Sequence, residues 1–285
     1  MESKLLLRGA LVGALAGLLA FVFARIFAEP QIQAAIDYET GRDAVQAVLD
    51  KSAGLPAGTA DPDIFSRTIQ ANLGAGTGMI FFGVAVGALF AVAYAVCLGR
   101  VGNLQPRALA LLVAAGGFLA VYLVPFVKYP ANPPAIGSPG TIKDRAGFYL
   151  LMVFCSVLFL VAVVWLGQRL RKRFGNWNAS VLAAATFVVA VGIVMAILPP
   201  LGRLAVNDQQ FGHHTTETPL PLTDASGTIV YPGFPADVLF DFRLYSVVAQ
   251  LILWATIGLV FAPLAERLLH PPRGAVPAEQ IAASG

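Results

Sequence analysis

The sequence predicts an all-α integral membrane protein, a bundle of about six transmembrane helices. Two observations predict this class. Only 12% of the 285 residues are charged and 57% are hydrophobic, with a mean hydropathy of +0.73, whereas soluble domains carry roughly a quarter charged residues. Apolar runs with uncharged interiors also recur along the whole chain. The composition excludes a disordered chain, a disulfide scaffold and a nucleic-acid-binding module, and it makes the lipid bilayer the expected surrounding.

The predicted spans are the apolar runs that reach the length of about 20 residues needed to cross the hydrocarbon core. They are residues 5–27, 74–98, 108–127, 147–166, 179–198 and 244–264. Arg8 and Arg25 lie near the ends of the first run, where long side chains can reach the interface. The third run is the least regular, because Gly116, Gly117 and Pro125 interrupt it.

The distribution of Lys and Arg predicts that both termini are cytoplasmic. In this orientation the inner segments hold ten Lys/Arg and three Asp/Glu, and the outer segments hold nine Lys/Arg and 13 Asp/Glu. The clearest anchor is the basic run at residues 169–173. Three outer, periplasmic loops follow, at residues 28–73, 128–146 and 199–243. Residues 1–270 form one predicted transmembrane domain, and the Pro-containing tail, residues 271–285, is expected to be disordered.

The first span is interpreted as a retained helix. A cleaved signal peptide is the alternative, because basic residues precede an apolar run. However, the exit of the span lacks the small residue expected two positions before a cut after Ala28. Gly9, Gly13 and Gly17 recur at every fourth position, and a face of small residues lets another helix approach closely. We therefore expect these three glycines to pack against a second helix.

The outer loops differ in character. In the first, apolar residues recur at helical spacing as far as Leu49, which predicts a helix. A second helix is expected to start with Asp61 as its N-cap. The second loop contains Lys128-Tyr-Pro-Ala-Asn132-Pro-Pro, where the prolines forbid helix and favour a stiff, extended segment. The third has no clear period before Phe234-Pro-Ala-Asp, which is typical of a helix start.

Charged and polar residues mark the outer mouth of the bundle. The expected structural set is Arg25, Glu29, Lys128, Asn132 and Arg243. Lys128 is predicted to pair with Glu29, because both end a span at the same face.

An acid and an arginine also precede each helix that enters from outside, as in Asp144 and Arg145. Two explanations fit this pattern. The acid can complement the helix dipole while the arginine anchors to headgroups, or the pairs can form a ring that gates the outer mouth.

The sequence contains none of the motifs of the common hydrolases or nucleotide-binding enzymes, and no carboxylate lies mid-membrane. We therefore expect no enzyme activity. The candidate metal ligands are His213 and His214, with Asp208 before them and Glu217 after them. Imidazole and carboxylate groups suit cobalt, nickel and zinc. The alternative is a pair of solvated histidines in a polar loop.

A second candidate metal path lies inside the bilayer. Its thioether, thiol and amide groups share a similar depth in the outer third of the helices: Met79, Met152, Cys155, Met195 and Gln250. Such groups could pass a dehydrating cation across the membrane. The alternative is ordinary apolar packing, since methionine is also a filler of helix interfaces. Cys97 and Cys155 are predicted to lie at different depths, so we expect no disulfide.

Several motifs resemble the CbtA family of predicted cobalt transporter subunits. The most specific are the span exit Phe23-Ala-Arg-Ile-Phe-Ala-Glu29-Pro-Gln31 and the loop Pro125-Phe-Val-Lys-Tyr-Pro-Ala-Asn-Pro-Pro134. The others are Leu5-Leu-Leu-Arg8-Gly9, Gly175-Asn-Trp-Asn-Ala179, Phe234-Pro-Ala236, Phe242-Arg243, Leu253-Trp-Ala255 and Leu264-Ala-Glu-Arg267. The resemblance extends over nearly the whole chain, although the segment that carries the histidines does not match the family pattern.

The resemblance implies a multi-pass subunit of a bacterial inner-membrane cobalt uptake system, linked to cobalamin synthesis. It implies a small, histidine-bearing membrane partner of the CbtB type, Co²⁺ as the transported ion and no permanently bound cofactor. It also implies about five spans, one fewer than the hydrophobic runs predict. The alternative is a membrane scaffold that organises a partner transporter and conducts nothing itself.

Overall fold

A computed structural model describes residues 2–55, 65–211 and 217–269, and this part of the chain is mostly helical. The long helices are α1 (Glu2–Ser52), α2 (Arg67–Cys97), α3 (Pro106–Lys128), α4 (Ile142–Ile197) and, after the short α5 (Ala205–Phe211), α6 (Ala236–Leu269). Two short antiparallel strands, β1 (Leu222–Thr223) and β2 (Ile229–Tyr231), precede α6. Five helical segments of the described residues are long and apolar enough to cross a membrane. The predicted class, a helical membrane bundle, is therefore confirmed.

The difference between five helical segments and six predicted spans lies in α4, which contains the fourth and fifth apolar runs. Gly175 interrupts this helix with φ 75° and ψ 172°, a conformation that glycine adopts readily. A Cβ built on Gly167 would lie 3.4 Å from the Cβ of Ala183. In a straight helix these two residues would be about 24 Å apart along the axis. Residues 142–174 and 176–197 are therefore the two antiparallel arms of a hairpin.

Helix α1 is much longer than the span predicted within it. It continues through Pro30 without ending and stops at Ser52, so it is about 76 Å long. The first predicted loop, residues 28–73, is therefore helical over more than half of its length. The helix start predicted at Asp61 falls outside the described residues. Helix α2 begins at Arg67, and the preceding Ser66 has an extended backbone.

Helices α1 and α2 are in direct backbone contact. A Cβ on Gly9 would lie 2.4 Å from the carbonyl oxygen of Gly87, and a Cβ on Gly13 would lie 2.1 Å from that of Gly83. A Cβ on Gly17 would lie 2.4 Å from the carbonyl oxygen of Met79. The structure thus places all three glycines of the small-residue face of α1 on α2. Because Gly83 and Gly87 also lack side chains, van der Waals and Cα–H···O contacts can form between the two backbones.

The first hydrophobic core joins α1, α2, α3 and α6. Tyr94 and Phe261 are fully buried in it, and their rings pack edge to face at 5.2 Å. Trp254 of α6 lies against Gly117 of α3, where a Cβ would come within 2.2 Å of the indole ring. The third predicted span is irregular in sequence because Gly117 provides the space for this tryptophan.

The second core joins the end of α3 to both arms of α4. Met152 is fully buried there, beside Tyr129, Val163 and Phe187. Helix α4 has a smaller buried share than any of the other four membrane-length segments. The hairpin therefore lies at the edge of the bundle, and most of its apolar surface faces outward.

The two ends of the bundle differ in chemistry. At the basic end, Arg8 donates to the backbone carbonyl of Leu264 at 2.5 Å, and Arg107 forms a 2.5 Å ion pair with Glu266. The opposite end is a polar cap, formed by residues 29–52, 129–141, 198–211 and 217–235. No helix forms from residue 129 to residue 138, as its prolines predict, and residues 134–137 turn, with Ala135 at φ 73°.

Candidate functional site

The cap is the part of the described chain where polar side chains converge, and a buried carboxylate is at its centre. Glu217 accepts hydrogen bonds from the Thr141 hydroxyl at 2.7 Å and from the Asn207 amide at 2.8 Å. Arg145 pairs with the second carboxylate oxygen at 3.4 Å. Only 2% of the Glu217 side chain is exposed. The carboxylate therefore ties the start of α4 and the loop before it to α5.

Lys128 and Tyr129 join the end of α3 to the end of the second arm of α4. The Lys128 ammonium donates to the Leu198 carbonyl at 2.7 Å, and the Tyr129 hydroxyl donates to the Pro199 carbonyl at 2.9 Å. Leu198 ends the helix, so its carbonyl has no following helical N–H to accept from. Burial raises the pKa of the Tyr129 hydroxyl above its ordinary value, in keeping with its role as a donor.

The predicted Lys128–Glu29 pair is wrong. Glu29 forms an ion pair and hydrogen bond with Arg67, because the close packing of α1 on α2 brings the first turn of α2 beside it. Arg25, one turn earlier on α1, donates to the Asn72 side chain at 2.9 Å. These two contacts fasten α1 to α2 where they enter the cap, and Lys128 takes part in neither.

The remaining predicted mouth residues, Asn132 and Arg243, contact each other. The Arg243 guanidinium donates to the Asn132 side-chain oxygen at 2.7 Å and to the Ala131 carbonyl at 3.3 Å. The start of α6 thus holds the extended segment over the bundle. Arg67, Arg145 and Arg243 each bond to a different structural element, and within the described residues neither Arg145 nor Arg243 pairs with the acid that precedes it in sequence.

The extension of α1 forms the side of the cap. The Tyr38 hydroxyl donates to the Pro232 carbonyl at 3.0 Å, and the Tyr231 hydroxyl donates to the Tyr38 carbonyl at 3.1 Å. Arg42 donates to the Leu220 carbonyl at 2.8 Å. Tyr38 is also buried in a third hydrophobic core with Ile136 and Phe234. The cap therefore has its own small core, and its loops are attached to a rigid helix.

The candidate metal ligands are only partly described. His213 and His214 lie outside the described residues. The two carboxylates that flank them in sequence are described: Asp208 lies on α5 and Glu217 in the buried network. Among the described residues, no group of three or more His, Cys, Asp or Glu is arranged to hold a metal ion. Both Glu217 oxygens already accept hydrogen bonds, which fits an anchor better than a metal ligand.

The intramembrane candidates do not converge on one point. Met152 and Met195 belong to the second core, whereas Met79 packs against the first. Cys155 is a free, half-buried thiol, and Gln250 is half-buried on α6. The two methionines of the second core lie on opposite arms of the hairpin and line one apolar contact.

One buried polar contact was not predicted from sequence. The Ser156 hydroxyl donates to the carbonyl of Ala120, in a stretch of α3 wound as a π-helix over Phe118–Leu123. In that winding, Val124 donates to the carbonyl five residues before it. The next residue, Pro125, has no N–H to donate to Ala120. Ser156 supplies the missing donor. A proline within one span and a serine within another are the sequence signal that could have predicted this contact.

The fold and the cap define the class: a multi-pass helical membrane protein with a polar cap at one end and a basic surface at the other. The chain belongs to the CbtA family, because the sequence model described as "Probable cobalt transporter subunit (CbtA)" matches residues 2–266. This membership confirms the resemblance noted from the sequence. A family of transporter subunits is not an enzyme family, and its description as a subunit implies a partner. No significant match is found to a curated protein or to a solved structure.

Proposed function

We propose that this protein is an inner-membrane subunit of a bacterial cobalt uptake system that supplies cobalamin synthesis. The observation that carries the proposal is the family match over residues 2–266. The membrane-length helices and the polar cap support it, since a transported ion must be collected from water at one face of the bundle. Uptake of radiolabelled Co²⁺ by cells that express the chain together with its small partner subunit tests it. No increase over cells with an empty vector would refute it.

The proposed topology has six crossings, with both termini in the cytoplasm and the cap in the periplasm. The α4 hairpin supports six crossings, because its two arms are antiparallel and each is long enough to span. The basic end carries most of the Lys and Arg near the membrane, which favours a cytoplasmic location. A membrane-impermeant thiol reagent should label E39C in intact cells and K172C only after permeabilisation, in a background without Cys97 and Cys155. Labelling of K172C in intact cells would refute this orientation.

The cap is the proposed site of metal capture, through His213 and His214. Asn207 and Glu217 flank this segment and are joined by a 2.8 Å hydrogen bond, so both ends of the histidine segment are held together. Asp208 is the carboxylate proposed to assist the imidazoles as a metal ligand. Glu217 instead holds the two ends of the histidine segment together through Asn207. Neutral imidazole is a good ligand for Co²⁺, and protonation below about pH 6.5 removes it.

The double variant H213A/H214A tests metal capture, and H270A is the matched control because it removes the third histidine of the sequence, which lies outside the proposed capture segment. We expect the cobalt concentration for half-maximal uptake to rise in the double variant only, with little change in the maximal rate. The dependence of uptake on external pH near 6 should also disappear in the double variant. Identical uptake by H213A/H214A and H270A at nanomolar cobalt would exclude a role for the pair.

The proposed partner is a small, histidine-bearing membrane subunit of the CbtB type. The family description as a subunit supports a partner in general, and a second histidine source would complete a coordination sphere that this chain supplies only in part. Co²⁺ uptake should therefore require both chains. Full uptake by either chain alone would argue against a shared site.

A non-conducting scaffold is the second candidate function. It is favoured by the interior of the bundle, where the described cores are apolar and their helices touch through glycine backbone. The variants M152L and M195L separate the two functions, since leucine preserves volume but not the thioether. A conducting path through the second core predicts slower Co²⁺ uptake, and a scaffold predicts no change.

A further inference from the structure

A groove lies at the turn of the α4 hairpin, at the basic end of the bundle. Its volume is about 360 Å³, and both arms line it. Gln168 and Arg171 come from the first arm, and Asn176 and Ser180 come from the second. Deeper in the bundle its walls are apolar, with Val163 on one arm and Ala183 on the other. The groove therefore has a polar, cationic mouth and a hydrophobic interior that points toward the membrane core.

The mouth is strongly basic. Residues 169–173 include four cations and no acid, and among the described residues none of the four forms an ion pair. The Arg169 guanidinium lies 4.0 Å from the centre of the Trp165 ring, so this side chain is held against the helix. Arg171 is the cation that lines the groove. Its charge is left without an acidic partner within the described chain.

Exposed aromatic residues place the mouth at the level of lipid headgroups. Trp165 and Trp177 are 54% and 80% exposed, on either side of the hairpin turn. Tryptophan is enriched at membrane–water interfaces, where its ring contacts the acyl boundary and its N–H reaches headgroups. A ligand in the groove can therefore be approached from the bilayer as well as from water.

We propose that this groove binds an anionic phospholipid, with Arg171 on the phosphodiester and one acyl chain along the apolar walls. A guanidinium presents two parallel N–H donors that match phosphate oxygens. Basic pockets between transmembrane helices are suited to acidic headgroups for this reason. The site is independent of cobalt binding, since it lies at the opposite end of the bundle from the cap. It makes the α4 hairpin, the least buried part of the bundle, the element that responds to lipid composition.

The test is native mass spectrometry of the full-length protein in detergent, titrated with phosphatidylglycerol or with phosphatidylcholine of the same acyl chains. We expect phosphatidylglycerol to bind at least about tenfold more tightly, and R171Q to reduce that affinity about tenfold. R171K should lose less affinity, because lysine keeps the positive charge but lacks the two parallel N–H donors of the guanidinium. The matched control is R203Q, since Arg203 is an exposed arginine of the cap, and its affinity should equal that of the native chain.

Two further measurements distinguish the source of the phosphate and the role of the apolar walls. Millimolar glycerol 3-phosphate should not displace the lipid, and S180L, which fills the groove, should weaken both lipids. Thermal melting confirms that R171Q and S180L are folded. Equal binding of phosphatidylglycerol by R171Q and R203Q would overturn the proposal. Displacement by glycerol 3-phosphate would also overturn it, because the site would then bind a soluble anion.

Discussion

Replacing Gly13 by alanine perturbs the closest helix–helix approach at any glycine of the described residues. The new Cβ would lie 2.1 Å from the carbonyl oxygen of Gly83 and 3.0 Å from the Cα of Gly87. Real Cβ atoms essentially never approach other atoms within 3.0 Å. The atoms in conflict are backbone, so no side chain can rotate away, and α2 must move by about 1 Å relative to α1.

The expected destabilisation follows from this displacement. Overpacking a well-packed interface costs about 1–3 kcal/mol, and the backbone contacts at Gly9 and Gly17 are strained by the same movement. Alanine is the better helix former, which offsets up to about 1 kcal/mol. We therefore expect G13A to lower the free energy of unfolding by about 2 kcal/mol. In a bilayer, no hydrophobic effect between the helices compensates for the lost packing.

Reversible unfolding in mixed micelles, followed by circular dichroism, measures this difference. The matched control is G78A in α2, because a Cβ on Gly78 has nothing within 4 Å. G78A should be neutral or slightly stabilising. The double variant G13A/G83A should be at least as unstable as G13A, since both methyl groups would occupy one gap. If G13A proves as stable as G78A, the backbone contact does not hold the helices together.

Three further predictions concern the cap. E29R should destabilise the protein and E29R/R67E should recover part of the loss, whereas E29K/K128E should recover nothing, as measured by thermal melting. E217Q removes the charge that faces a guanidinium and should lower stability by about 1–2 kcal/mol, seen as faster proteolysis of the cap at limiting protease. Hydrogen bonds from Ser226 and Thr228 lower the pKa of Asp224 below its ordinary value of 3.8. The turn stabilised by this carboxylate should therefore persist above the ordinary value and be lost as the pH falls through the lower folded-state value, as followed by NMR of the carboxyl carbon.

Each of these predictions has an internal control. Rescue by E29K/K128E would show that Lys128 does approach Glu29. For the buried carboxylate, D237N is the comparison, since Asp237 is exposed near the start of α6. Equal proteolysis of E217Q and D237N would show that the charge of Glu217 does not stabilise the cap. For the turn, a midpoint of Asp224 at or above 3.8 would show that the donors do not favour the charged form.

The membrane-spanning part of the fold was largely predictable, because a helix that crosses the hydrocarbon core needs an apolar run of about 20 residues. Every long helix of the structure contains an apolar run that the sequence predicts as a span. The prolines at residues 130, 133 and 134 predict the absence of helix in the loop that contains them. Helix ends were less predictable. Helical spacing as far as Leu49 predicted the cap half of α1, but it did not predict that the helix runs unbroken through Pro30 to Ser52. Tyr38 in this half contacts residues almost 200 positions later. Local sequence carries no information about such a contact.

The cap shows the same limit at the level of single residues. The charged residues at the outer mouth were identified, but the Lys128 partner was not. Both Lys128 and Glu29 end a span at one face, and sequence alone does not say which other helices lie between them. The packing of α1 on α2 decides that Arg67 reaches Glu29, and the return of the α4 hairpin decides that Leu198 reaches Lys128.

By itself, the sequence determined the environment of this protein, its helical class, its family and the small-residue face of α1. These properties depend on hydrophobicity and residue size, which act at each position regardless of distant partners. Only the tertiary structure decided that Gly83 and Gly87 receive that face, and that Ser156 satisfies the carbonyl which Pro125 leaves without a donor. It also decided that Glu217 is buried among Thr141, Arg145 and Asn207. Hydrogen bonds and ion pairs are directional and short-ranged, so their partners exist only after the helices have packed.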